Sequence, residues 1–214
     1  MSSIRQLTVS SSSADSGTVY RDPYRTAALQ VPRFSRNLCR PALLAIVLLV
    51  NTLNANAAEL AIGDKLPPLH GQYLNGRKAT LPADASGHVA LLLIGFTYQS
   101  RFPVEEWAKH FRAEFGTNPH VTFYEVPMIG GMARIGKWFI DSGMRRGTAP
   151  TDYEHVITVY GGTDPWKACL GIKDQDAANL VLLDQQGRIV WRHSGSFDSA
   201  AYQSLSAELK KLIP

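Results

Sequence analysis

The chain has 214 residues, 45% of them hydrophobic and 19% charged, which suits one well-cored domain with an appendage and excludes a disordered polyelectrolyte. The formal charge of +4 is confined to one region, because residues 1–57 hold six arginines against two aspartates while residues 58–214 hold 16 basic and 16 acidic side chains. A neutral main body speaks against nucleic acid as a partner, and the absence of any repeat or heptad pattern sets aside solenoids and coiled coils.

Taken in chain order, residues 1–57 read as a signal peptide with a long basic n-region. Arginines run from Arg33 to Arg40, Ala42–Val50 is uninterrupted apolar sequence, and Ala55-Asn56-Ala57 supplies a small-x-small cleavage pattern. The apolar run is well short of the ~20 residues that a spanning helix needs. Cleavage after Ala57 is expected to release residues 58–214 as an exported, periplasmic domain; the alternative is an uncleaved anchor formed by residues 42–50. Cys39 falls in this segment, which leaves Cys169 as the single thiol of the body and no internal disulfide to form.

Gln72–Leu81 reads as a hairpin turning at Asn75-Gly76 in a type I′ turn. His88–Gly95 is a continuous apolar run, as expected of a strand buried on both faces. Pro103–Phe115 is predicted helical, since Trp107, Ala108, Phe111 and Phe115 recur at helical spacing. His120–Val126 is a second strand. Met128–Arg146 is expected to be a helix broken at Gly136 and Gly143, with Met132, Ile135 and Phe139 on one face. Val156–Tyr160 is a third strand, Asp164–Ile172 holds a short helical turn, and Leu180–Leu183 with Arg188–Arg192 forms a hairpin. A final helix starts at an Asp198 or Ser199 cap.

This order, together with Ile62-Gly63-Asp64, Gly95-Phe96-Thr97-Tyr98 and Leu182-Leu183-Asp184-x-x-Gly187-Arg188-Ile189-Val190, resembles the α/β thioredoxin-like fold. The leading β-hairpin resembles its peroxiredoxin, TlpA and Sco branch, and the chain adds a helical insert. In such proteins the active thiolate lies where the first buried strand meets the next helix, because the helix N-terminus lowers a cysteine pKa. The Sco pattern GFTxCxxxCP places its two cysteines at Gln99 and Pro103 and its histidine at Asp176. The proline usual before the fourth strand of the fold falls near Ala178. The resemblance therefore implies a vestigial redox site of Gln99, Ser100 and Pro103, with no catalytic group, metal or cofactor. Cys169 is the alternative catalytic residue, as a single-cysteine thiol peroxidase or oxidoreductase; its apolar neighbours Ala168 and Leu170 favour simple burial instead.

Gly131–Lys137 matches GxxxxGK, but Trp138 occupies the position where a phosphate loop needs a hydroxyl for magnesium, so no nucleotide is expected. The histidines show no metal-ligand spacing. Pro127–Gly147 gathers Met128, Met132, Met144, Trp138 and Phe139 with Arg134, Lys137, Arg145 and Arg146. Two readings stay open: this face covers the sheet, or Trp138 and the basic set Arg134, Lys137, Arg145 and Arg146 bind a protein client or an anionic membrane surface. The insert, Gly95–Tyr98 with Pro103–Trp107, and Gly187–Trp191 with Gly195 resemble the thioredoxin-like factor that assists assembly of the mitochondrial ATP synthase, and its bacterial relatives. That resemblance implies a redox-inactive assembly factor, acting as a chaperone on a membrane or envelope complex.

Overall fold

The computed structural model describes residues 59–131 and 136–214. Its strands are β1 (Leu69–Tyr73), β2 (Lys78–Leu81), β3 (Val89–Gly95), β4 (Val121–Ile129), β5 (Ile157–Tyr160), β6 (Ala178–Leu183) and β7 (Ile189–Gly195). The helices are α1 (Arg101–Phe115), α2 (Lys137–Gly147), α3 (Thr163–Cys169) and α4 (Ser199–Lys210). One sheet runs β2-β1-β5-β4-β3-β6-β7. Strands β3, β4 and β5 are parallel, and the outer strands on both sides are antiparallel.

Strand β3 lies inside the sheet between β4 and β6, and its seven residues are all buried, so both faces of the pleat must be apolar. Val89, Leu91 and Leu93 join a core under α1 and α4, while Ala90, Leu92 and Ile94 join the core on the opposite face. This is the two-residue alternation of a strand. Helix α1 lays Trp107, Phe111 and Phe115 on the first face, and the Trp107 indole N–H donates to the Gly195 carbonyl at 3.3 Å. Replacing so large a buried ring by alanine costs about 3–5 kcal/mol. Helix α4 begins as its sequence dictates, with Asp198 accepting from the Ala201 N–H at 2.8 Å.

The leading hairpin is present, but its turn is not the two-residue type I′ form. The Gly76 N–H bonds the Tyr73 carbonyl and the Tyr73 N–H bonds the Arg77 carbonyl, giving a three-residue loop closed by Gly76 at φ +92°. Before it, residues Glu59–Leu66 run beside β7: Gly63 N–H donates to Ile189, Ile189 N–H to Asp64, and Leu66 N–H to Gly187.

The largest departure from the sequence reading is in the insert. Strand β4 continues through Pro127 to Ile129. Pro127 is in register with Gly95, the last residue of β3, and pairing to β5 resumes at Met128, so the missing proline donor interrupts little of the ladder. Met128 is a buried strand residue rather than a helical one. Helix α2 does not end at Gly143 and continues to Gly147. The signal segment, Cys39, Ala42–Val50 and the Ala57 cleavage point lie outside the described residues, as do Met132, Arg134 and Ile135.

Candidate functional site

The corner between β3 and α1 is built by a reciprocal turn. Thr97 Oγ1 accepts from the Ser100 N–H at 3.1 Å, while Ser100 Oγ accepts from the Thr97 N–H at 3.1 Å and donates to the Thr97 carbonyl at 2.8 Å. The Thr97 hydroxyl donates to Asp176 Oδ1 at 2.6 Å, which ties the corner to the loop before β6. Ser100 is fully buried, and a Cβ on Gly95 would lie 2.6 Å from its Oγ, so the strand can end this close to the helix only at glycine.

Gln99 is exposed, Pro103 is half-buried and Asp176 is exposed. The structure thus brings Asp176, the residue at which the Sco resemblance implies a histidine, to the corner through Thr97. The corner carries no sulfur and no imidazole, and the Ser100 hydroxyl, engaged as both donor and acceptor, has no adjacent base to activate it. Among the described residues no group of three His, Cys, Asp or Glu side chains is placed to hold a metal ion.

Cys169 ends α3 in a partly buried position packed on the core. Burial pushes its thiol pKa up, against the weaker lowering effect of the Arg192 guanidinium. An activated nucleophile needs the opposite shift. The Arg192 guanidinium is also committed elsewhere, to the carbonyls of Leu60 and Leu170 and to Glu59 at 3.5 Å.

Helix α2 is fastened along one side. Asp141 is buried and accepts from Lys137 Nζ at 2.7 Å and from the Tyr160 hydroxyl at 2.6 Å. The Lys137 ammonium also lies 4.2 Å from the centre of the Tyr160 ring. Burial and the Asp141 carboxylate push the Tyr160 hydroxyl pKa up, which keeps it a proton donor. At the far end of the helix, Arg145 Nε donates to the Leu74 carbonyl at 2.8 Å, and the Tyr153 hydroxyl donates to the Arg145 carbonyl at 3.0 Å.

The candidate set therefore divides. Lys137 stands beside Tyr160, at the C-terminal end of β5, whereas Arg145, about two turns on, stands beside the hairpin loop. Arg145 is a structural clamp on that loop, and Arg146 is exposed. Trp138 is 70% and Phe139 73% exposed, so these two rings lie off the face of α2 that Lys137 and Asp141 turn to Tyr160. The two rings pack edge to face at 4.8 Å.

One further cluster escapes sequence reading. Arg112 on α1 pairs with Asp152 at 2.6 Å and reaches Glu125 on β4 at 4.0 Å, in a cavity of about 470 Å³ between α1 and the segment after α2. Burial pushes the Glu125 carboxyl up to about 7, opposed by Arg112 and reinforced by Glu105 and Asp152. These partners are 13 or more residues from Glu125 on other elements, and only the acidic residue inside a strand pattern could have hinted at them.

Comparison with known proteins addresses the fold. A candidate thiol:disulfide interchange protein DsbE from Chlorobium tepidum matches 72% of this chain and 99% of its own at 17% identity and a TM-score of 0.50. The C-terminal domain of a candidate thiol-disulfide oxidoreductase from Bacteroides thetaiotaomicron matches 72% and 99% at 14% identity and a TM-score of 0.52. The fold is thioredoxin-like. BsSco, a member of the Sco family of cytochrome c oxidase assembly proteins, matches 72% of this chain and 96% of its own at 13% identity and a TM-score of 0.50. No family model and no curated protein matches the chain. At these identities the thioredoxin-like likeness carries over the architecture and leaves activity to the residues.

Proposed function

We propose that the protein is an exported, redox-inactive thioredoxin-like factor that acts by binding a protein client of a membrane or envelope complex. The observation that carries this reading is the exposed Trp138–Phe139 pair, presented on a helix fixed from beneath by Lys137, Asp141 and Tyr160, while the position of the usual thiolate is filled by Gln99 and the saturated Ser100. Exposed aromatic residues on a fixed helix suit partner recognition. The resemblance to the ATP synthase assembly factor gives the reading its class of role. Arg134, Lys137, Arg145 and Arg146 were expected to share in contact; Arg145 is now assigned to holding α2.

Export follows from residues 1–57, with cleavage after Ala57 or retention of residues 42–50 as an anchor. No helix among the described residues is long and apolar enough to cross a membrane. Intact mass of the protein from an envelope fraction distinguishes these, with Ala58 as the expected first residue. Function is tested by capture of client from solubilised membranes with wild type and with a Trp138→Ala/Phe139→Ala variant. Capture lost in the variant is the expected result. Thiol-dependent peroxide or disulfide turnover at about 1 s⁻¹ or faster, abolished by Cys169→Ser, would replace this reading with the enzymatic one.

A further inference from the structure

We propose that residues 148–152, between α2 and Tyr153, form a pH-sensitive latch on α1, in which one guanidinium, that of Arg112, is contested by Asp152 and Glu125 and releases the segment when Glu125 ionises. On either side of the segment the chain is fastened to the body by other groups. Before it, Arg145 Nε is bonded to the Leu74 carbonyl; after it, the Leu74 N–H donates to the Tyr153 carbonyl and the Glu125 N–H to that of His155. Between these joints the helical turn Pro150–Asp152 is tied to α1 by the 2.6 Å bond from Arg112 to Asp152. Gly147, Thr148, Ala149 and Asp152 line one side of the cavity of about 470 Å³ and α1 lines the other, so the segment is backed by open space.

Glu125 lies in this cavity with Glu105, Lys109 and Arg112 of α1 and Asp152 of the latch. On β3 its partner in the ladder is the apolar Leu93. The chain leading into β5 brings Val156 and His155, whose ring stacks on Phe123 at 4.5 Å with Nδ1 3.0 Å from the Phe123 carbonyl. Among the described residues the cation within ion-pair distance of Glu125 is Arg112, at 4.0 Å. The same guanidinium lies 5.2 Å from the centre of the Phe123 ring, which holds it between the two carboxyl groups. While Glu125 is neutral, Arg112 belongs to Asp152. An ionised Glu125, half-buried, needs a donor. Drawing Arg112 toward it lengthens the bond to Asp152, and the new negative charge repels the Asp152 carboxylate. Both effects lift the segment. Burial sets the change at about pH 7, so the latch is closed below that value and open above it.

The test is NMR of the nitrogen-15-labelled protein between pH 5 and pH 8. The amides of Asp152 and His155, which bond Ala149 and Asp152 within the turn, are expected to shift with a midpoint near 7. Their hydrogen-exchange protection, corrected for the intrinsic rate, should fall about tenfold or more over that range. Gly187, whose N–H closes the β6–β7 turn on Asp184, should keep its protection. Glu125→Gln is expected to abolish the titration and keep the segment protected at pH 8. Asp152→Ala should give His155 at pH 5 the low protection that the wild type shows at pH 8, and circular dichroism checks that both variants are folded. Should Glu125→Gln fail to fold, the wild-type titration and Asp152→Ala still decide. A titration that survives Glu125→Gln belongs to His155 and overturns the inference. So does a segment whose amides do not titrate, protection that rises with pH, a loss shared equally by Gly187, or full protection of His155 in Asp152→Ala at pH 5.

Discussion

The corner after β3 and the first turn of α2 occupy the same end of the sheet and solve opposite problems. In the corner, Thr97, Ser100 and Asp176 satisfy one another's polar groups and Gly95 yields the space, so the turn that leads into α1 is closed by hydrogen bonds of 2.6–3.1 Å. In α2, the polar groups Lys137, Asp141 and Tyr160 satisfy one another underneath, and the apolar side chains are left facing water. A polar network can thus either shut a site or prop one open, depending on which side chains it leaves over.

Away from both regions, Arg112 in the last turn of α1 pairs with Asp152 after α2 and reaches Glu125 on β4, and the largest expected effect lies there. Glu125 is protonated more readily in the folded protein, at about 7 against an ordinary 4.5. Its contribution is therefore fully present below about 4.5 and is lost as pH rises toward 7, a change on the order of 3 kcal/mol. Chemical denaturation from pH 5 to pH 8 should show this decline, and Glu125→Gln should flatten it.

Asp141→Ala should cost about 1–3 kcal/mol, because it leaves the Tyr160 hydroxyl and the Lys137 ammonium without their acceptor. It should also loosen α2, seen as faster amide hydrogen exchange from Lys137 to Gly147 and unchanged exchange in α1. Exchange that rises equally in both helices would erase the contrast between them.

In the corner, Gly95→Ala should destabilise by about 1–3 kcal/mol, since the added methyl must displace the bonded Ser100 hydroxyl. Pairing it with Ser100→Gly should recover part of that loss, and a double-mutant cycle measures the coupling. The smallest stability effect belongs to Trp138→Ala and Phe139→Ala, within about 0.5 kcal/mol each because both are exposed. A melting temperature that drops sharply in either variant would mean the rings pack against the body, and the comparison would collapse.

Much of this architecture could be read from residue patterns. The continuous apolar run of β3, the spacing of Trp107, Phe111 and Phe115, and the Asp198 cap are local signals, and each element lies within a few residues of its expected bounds. The insert was less legible because its clues depend on distant partners. Arg145 reads as a free cation in sequence, yet its acceptor is the main-chain carbonyl of Leu74, a group present at every residue and therefore invisible to composition. Pro127 reads as the end of a strand, and only the register against Gly95 shows why β4 passes through it. Phe139 shares a helical spacing with apolar neighbours, but the buried group that fixes the face of α2 turned to the sheet is Asp141, whose partner Tyr160 is on another element. The corner was half legible: the residues Gln99 and Pro103 can be read directly, whereas the Thr97–Asp176 bond spans 79 residues.

Residues Glu59–Leu66 carry a consequence for self-association. Strand β7 is the last strand of the sheet, and an unpaired edge of this kind is a template for another chain. The Gly63 N–H takes the Ile189 carbonyl, the Asp64 carbonyl takes the Ile189 N–H and the Leu66 N–H takes the Gly187 carbonyl, so this stretch guards the first residue of that edge. A chain that begins after Leu66 loses the guard and is expected to form oligomers by strand pairing, in proportion to its concentration, whereas one that begins at Ala58 keeps the start of the edge covered.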